Sequence, residues 1–63
     1  MAEANPDYTT VFPAPNGKGL AVWMRYRPDL EYYVYQSEGP MRLELARRLA
    51  QNWAKLKHLE YRP

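Results

Sequence analysis

The chain has 63 residues, with nine Lys and Arg, seven Asp and Glu, one histidine and no cysteine, giving a formal net charge of +2. That length allows one small domain, which buries roughly 60% of the surface of its unfolded chain. The composition excludes disulfide staples and a closed zinc site, which needs about four ligands, normally Cys and His, and no run reaches the ~20 apolar residues of a membrane span.

Residues 1–7 are polar and read as a flexible N-terminal arm. They have neither the basic start nor the apolar run of a secretory signal. With the absence of cysteine, this points to the cytoplasm. Tyr8 to Phe12 is a short β-prone run closed by Pro13, which suits an edge strand. Asn16-Gly17 is a strong hairpin signal, because both residues tolerate positive φ. As a two-residue loop it sets Val11 against Val22 and Thr9 against Met24.

Leu20 to Gln36 holds two runs rich in Val, Trp, Tyr and Met on either side of Arg27-Pro28-Asp29-Leu30. Proline presets φ for a tight turn and Asp bonds the backbone ahead of it, so a second hairpin is expected. A two-residue loop mixes polar and apolar residues on both faces. An odd loop of three or five residues pairs Tyr26 with Tyr32 and Met24 with Val34. Because register follows the buried face, the odd loop is expected. It turns Val22, Met24, Tyr26, Tyr32 and Val34 inward, and Trp23, Arg25, Arg27, Tyr33 and Tyr35 outward beside Tyr8 and Phe12.

Ser37 to Pro40 breaks the strand pattern, with Pro40 suited to a first helical turn. Beyond it Met41, Leu45, Leu49, Trp53 and Leu56 recur at helical spacing and are expected to face the core. Arg47, Arg48 and Lys55 lie on the other side, and Leu43, Ala50 and Ala54 form a secondary apolar flank. The expected fold is α+β. It is a single β-β-β-α domain over residues 8–63, with strands near 8–13, 19–27 and 31–37 in an antiparallel meander and a helix near 40–59 on one sheet face.

One serine, one histidine and scattered acids do not make a catalytic triad or an acid pair. Asn16-Gly-Lys-Gly19 lacks P-loop spacing. The expectation is a protein without catalysis, metal, cofactor or small-molecule substrate. His58 reads as a solvated residue at a helix end. The outward set Trp23, Arg25, Arg27, Tyr33 and Tyr35 is the candidate partner-binding surface, since Trp, Tyr and Arg dominate interface hot spots and exposed aromatic patches mark contacts. Arg47, Arg48 and Lys55 are a secondary basic face, read first as solvated, though such a face also suits phosphate.

The layout of three strands and one helix resembles the plant AP2-type DNA-binding domain. It is also similar to the arm-site DNA-binding domain of phage-type integrases. Both present a sheet face to DNA, although the AP2 signature residues and the basic N-terminal run of many integrases are absent here. In format the chain resembles the small inhibitors and regulators encoded by phages and mobile elements. A charge of only +2 favours a protein partner, or a homodimer through the sheet face or the free edge of the third strand. Nucleic acid is the alternative.

Overall fold

A computed structural model describes residues 6–63, in the order β1 (Tyr8–Ala14), a 3-10 turn (Pro15–Gly17), β2 (Lys18–Arg27), β3 (Tyr32–Arg42), α1 (Leu43–Lys57) and β4 (Glu60–Tyr61). The fold is α+β: an antiparallel β1-β2-β3 meander followed by one helix. The sheet order is β3-β2-β1-β4. The short β4 runs parallel to β1, with Glu60 beside Tyr8 and Tyr61 beside Thr9. Strands this short carry no periodicity, so β4 has no signature in the sequence. Most of the expected N-terminal arm, 1–5, lies outside the described residues. Of the rest, Asp7 Oδ1 accepts from the Tyr26 amide (2.8 Å), and the Pro6 carbonyl accepts from the Tyr33 hydroxyl (2.9 Å).

Both hairpins differ by one residue from the expected register. Asn16 and Gly17 do take positive φ, 64° and 71°, but Pro15 joins the turn and Ala14 pairs with Lys18. A proline has a fixed φ and no amide for a ladder, so it lengthens the loop to three residues. Val11 therefore opposes Ala21, and Thr9 opposes Trp23. The second loop is Pro28–Glu31, four residues between the paired Arg27 and Tyr32. The Leu30 and Glu31 amides both donate to the Arg27 carbonyl, at 3.1 and 2.8 Å. Glu31 closes the loop at φ 60°, a left-handed conformation that a non-glycine residue seldom takes. Tyr26 thus opposes Tyr33, and Met24 opposes Tyr35. The two shifts cancel across the sheet: β1 and β3 keep their expected facing and β2 alone is turned over.

The helix starts at Leu43, not near 40, because β3 continues through Gly39 and Pro40 as a bulge. Ala21 opposes Glu38, whereas Gly19 opposes Met41. The Gly39–Pro40 peptide is cis. The expected inward stripe is corrected too. Ala46, Ala50 and Ala54 are the buried helix residues, while Leu45 and Leu56 are 45% and 78% exposed. Small side chains let the helix sit close on the sheet. The Thr9 hydroxyl donates to the Ala50 carbonyl at 2.8 Å, and a Cβ on Gly19 would lie 2.9 Å from Leu43 Cδ1. The larger residues Leu49 and Trp53 straddle the flank and are half-buried. The helix ends at His58, left-handed at φ 56°, whose amide and that of Leu59 both reach the Ala54 carbonyl. Among the described residues no helix is long and apolar enough to cross a membrane.

Candidate partner-binding surface

Side chains alternate along a strand, so the Thr9 bond to Ala50 assigns both faces. The helix side carries Thr9, Val11, Ala21, Trp23, Arg25, Val34 and Gln36. The open side carries Tyr8, Phe12, Leu20, Val22, Met24, Tyr26, Tyr33 and Tyr35.

The five expected surface residues do not stay together. Trp23 and Arg25 lie under or beside the helix. The Arg25 guanidinium carbon is 4.8 Å from the Trp23 ring centroid, and Lys57 Nζ is 4.1 Å from it. Trp23 Nε1 is buried without a hydrogen-bond partner. Its indole shares a recess of about 220 Å³ with Gln36, Glu38, Trp53 and Lys57. Arg27 is at the strand end, in an exposed ion pair with Asp29 (3.3 Å). Only Tyr33 and Tyr35 remain on the open face.

There they join Tyr8 and Phe12, which the sequence placed beside them, and Val22, Met24 and Tyr26, which it placed in the core. The Tyr33 ring meets Tyr8 at 5.5 Å and 70°, and Tyr26 at 5.2 Å and 60°. Phe12 from β1 and Tyr35 from β3 meet edge to face at 5.9 Å, reaching across β2. Val22, between them on β2, has no exposed surface although the helix lies on the other side of the sheet. Tyr35 remains 60% exposed, Tyr33 37% and Phe12 36%. Tyr26 was missed because the expected register sent it inward.

Charge is confined to the ends of this face. Lys18 pairs with Arg42 near Phe12. At the other end the Arg62 guanidinium carbon lies 4.0 Å from the Tyr8 ring centroid, and Arg62 Nε bonds Glu60 at 3.0 Å. The Glu60 carboxylate raises the Arg62 pKa above its ordinary value. On the helix, Arg47, Arg48 and Lys55 are all exposed but form no single patch. Arg47 flanks Val11, Pro13 and Tyr61, whereas Arg48 and Lys55 share a side about 100° round. Among the described residues no three His, Cys, Asp or Glu side chains gather as a metal site. No family model, curated protein or solved structure matches this chain.

Proposed function

We propose that this chain is a small non-enzymatic binding protein, of regulatory or inhibitor type, that engages a protein partner through its helix-free aromatic face. The observation that carries the reading is the uncharged Phe12–Tyr35 and Tyr8–Tyr33–Tyr26 clusters, with Tyr35 60% exposed. Rigid aromatics bury much area at little entropic cost and are frequent interface anchors. Their rings are already engaged edge to face, which suits packing against apolar side chains better than intercalating bases. Arg25 and Arg27, the cations expected on this face, are held elsewhere by Trp23 and Asp29. Nucleic acid is the second reading, favoured by Lys18 and Arg42 at one end and Arg62 at the other. A cytoplasmic location fits the cysteine-free composition.

The test compares the parent chain with Tyr35→Ser. Immobilised parent should retain a protein from nuclease-treated lysate that the variant retains at least tenfold less, with unchanged circular dichroism. Fluorescence anisotropy against labelled single- and double-stranded DNA and RNA forms the other arm. Saturable binding that falls steeply with salt, and that is lost in Lys18→Ala and Arg62→Ala, would replace the protein reading with the nucleic-acid one.

A further inference from the structure

The two edges of the sheet are built differently. On the β1 side, β4 covers Tyr8 and Thr9, the Arg62 amide donates to the Thr9 carbonyl at 2.8 Å, and Pro13 has no amide to offer. On the β3 side no strand of the described residues pairs, and Tyr32-Tyr-Val-Tyr-Gln-Ser37 contains no charge, proline or glycine. Charges, prolines and covering segments are the usual protection of a free edge. Among the described residues one edge is protected and the other is left open.

The backbone atoms on offer follow from a single bond. The Tyr26 amide donates to Asp7, which precedes β1, so the backbone of Tyr26 points towards β1. Its partner Tyr33 is therefore in a non-hydrogen-bonded pair. Tyr33, Tyr35 and Ser37 then direct N–H and C=O away from the sheet, while Tyr32, Val34 and Gln36 bond β2.

We infer that this edge pairs with the β3 edge of a second copy, antiparallel, with Tyr35 on the twofold axis. In that register Tyr35 faces Tyr35 and Tyr33 faces Ser37 of the other copy. Every outward amide and carbonyl between Tyr33 and Ser37 is satisfied, two bonds to each facing pair. Moving the axis to Val34 or Gln36 strands some of these groups or runs into the turn or the Gly39–Pro40 bulge. An axis normal to the sheet keeps both helices on one side, as even-numbered antiparallel facing requires.

The helix supports the same occupant. Trp53 lines the recess with Gln36 and Glu38 of β3, so the flank carrying Leu45, Leu49 and Leu56 looks towards this edge. Leu45 and Leu56 are among the most exposed apolar residues described, at 45% and 78%. In the pair, the two flanks become facing walls of one cleft over Val34 and Gln36. The protected β1 edge stops further addition, so the assembly closes at two copies. The inference rests on the edge and not on the aromatic face, so either proposal can fail alone.

The test uses the unmodified 63-residue chain. Sedimentation velocity from micromolar to millimolar concentration should show a monomer–dimer equilibrium. Amide exchange by NMR on both sides of that transition should slow at Tyr33, Tyr35 and Ser37 by at least tenfold in the dimer. A monomer at every concentration overturns the inference. So does a dimer in which those three amides exchange as they do in the monomer, the result that docking through the aromatic face would give. Ser37→Pro removes an outward amide without touching the β2 ladder, and so removes two bonds across the axis. It should weaken the dimer about tenfold or more. A folded Ser37→Pro chain that dimerises as tightly as the parent counts against the inference, and if the variant does not fold, amide exchange in the parent decides.

Discussion

Trp23 and Tyr35 were expected side by side and do opposite work. Trp23 is wedged beside the helix with Arg25 and Lys57 over its ring, whereas Tyr35 is 60% exposed and touches Phe12. Trp23→Ala should therefore cost stability, by about 3 kcal/mol, because it empties the seam between helix and sheet. Tyr35→Ser should cost under about 1 kcal/mol, near the worth of one aromatic pair. Urea melts of the two variants measure the difference, and equal losses would contradict the placement of these two residues on opposite faces of the sheet. Thr9 is the other decisive single residue, a buried hydroxyl whose one hydrogen bond goes to the Ala50 carbonyl. Thr9→Val keeps the shape and loses that bond, so it should lower stability by about 1 kcal/mol.

At the scale of elements, the helix is held by its smallest residues. Ala46, Ala50 and Ala54 touch the sheet while Leu56 stands in solvent. Ala50→Leu should destabilise by about 1–3 kcal/mol through overpacking against β1 and β2. Leu56→Ser, measured at concentrations that keep the chain monomeric, should stay within about 0.5 kcal/mol. Reversal of that order in thermal melts would refute the packing. The same residues show what the sequence could and could not disclose. Three strands, a helix and their order were legible, because alternating runs in the first two thirds of the chain give way to a 3.6-residue period in the last third. The facing of β2 was not. It depended on whether Pro15 and Glu31 belonged to turns, and each shifts the register by one residue, which inverts a whole strand. The inward side of the helix was misread because hydrophobicity ranks Leu above Ala, whereas close approach to a sheet selects the smaller side chain. Of the five candidate surface residues only Tyr33 and Tyr35 keep their expected facing, beside Tyr8 and Phe12, because those residues lie on strands whose facing the two shifts left unchanged.

As a whole molecule the domain has a thin interior. Val22 and Thr9 are the largest side chains with essentially no exposure, and there is no disulfide. A domain of this size draws little stability from its core alone. Any association that binds only the folded chain adds to it by mass action. If the β3 edges pair, the melting temperature should rise with protein concentration, by several degrees between about 5 and 500 μM, and the rise should shrink in Ser37→Pro. Calorimetry at both concentrations checks this, and a melting temperature independent of concentration would mean that the folded monomer stands on its own.

Both tryptophans, Trp23 and Trp53, line the same recess between helix and β3, while the open face and the free edge are tyrosine and phenylalanine. The chain therefore carries two optical reporters that need no label. Indole emission follows the seating of the helix, and Lys57 and Arg25 beside Trp23 make its wavelength sensitive to that seating. Tyrosine absorption sums six phenols, four of which, Tyr8, Tyr26, Tyr33 and Tyr35, lie on the open face. A ligand that perturbs the phenol bands and leaves the indole spectrum unmoved has landed away from the seam between helix and β3, and one that shifts the indole has reached that seam.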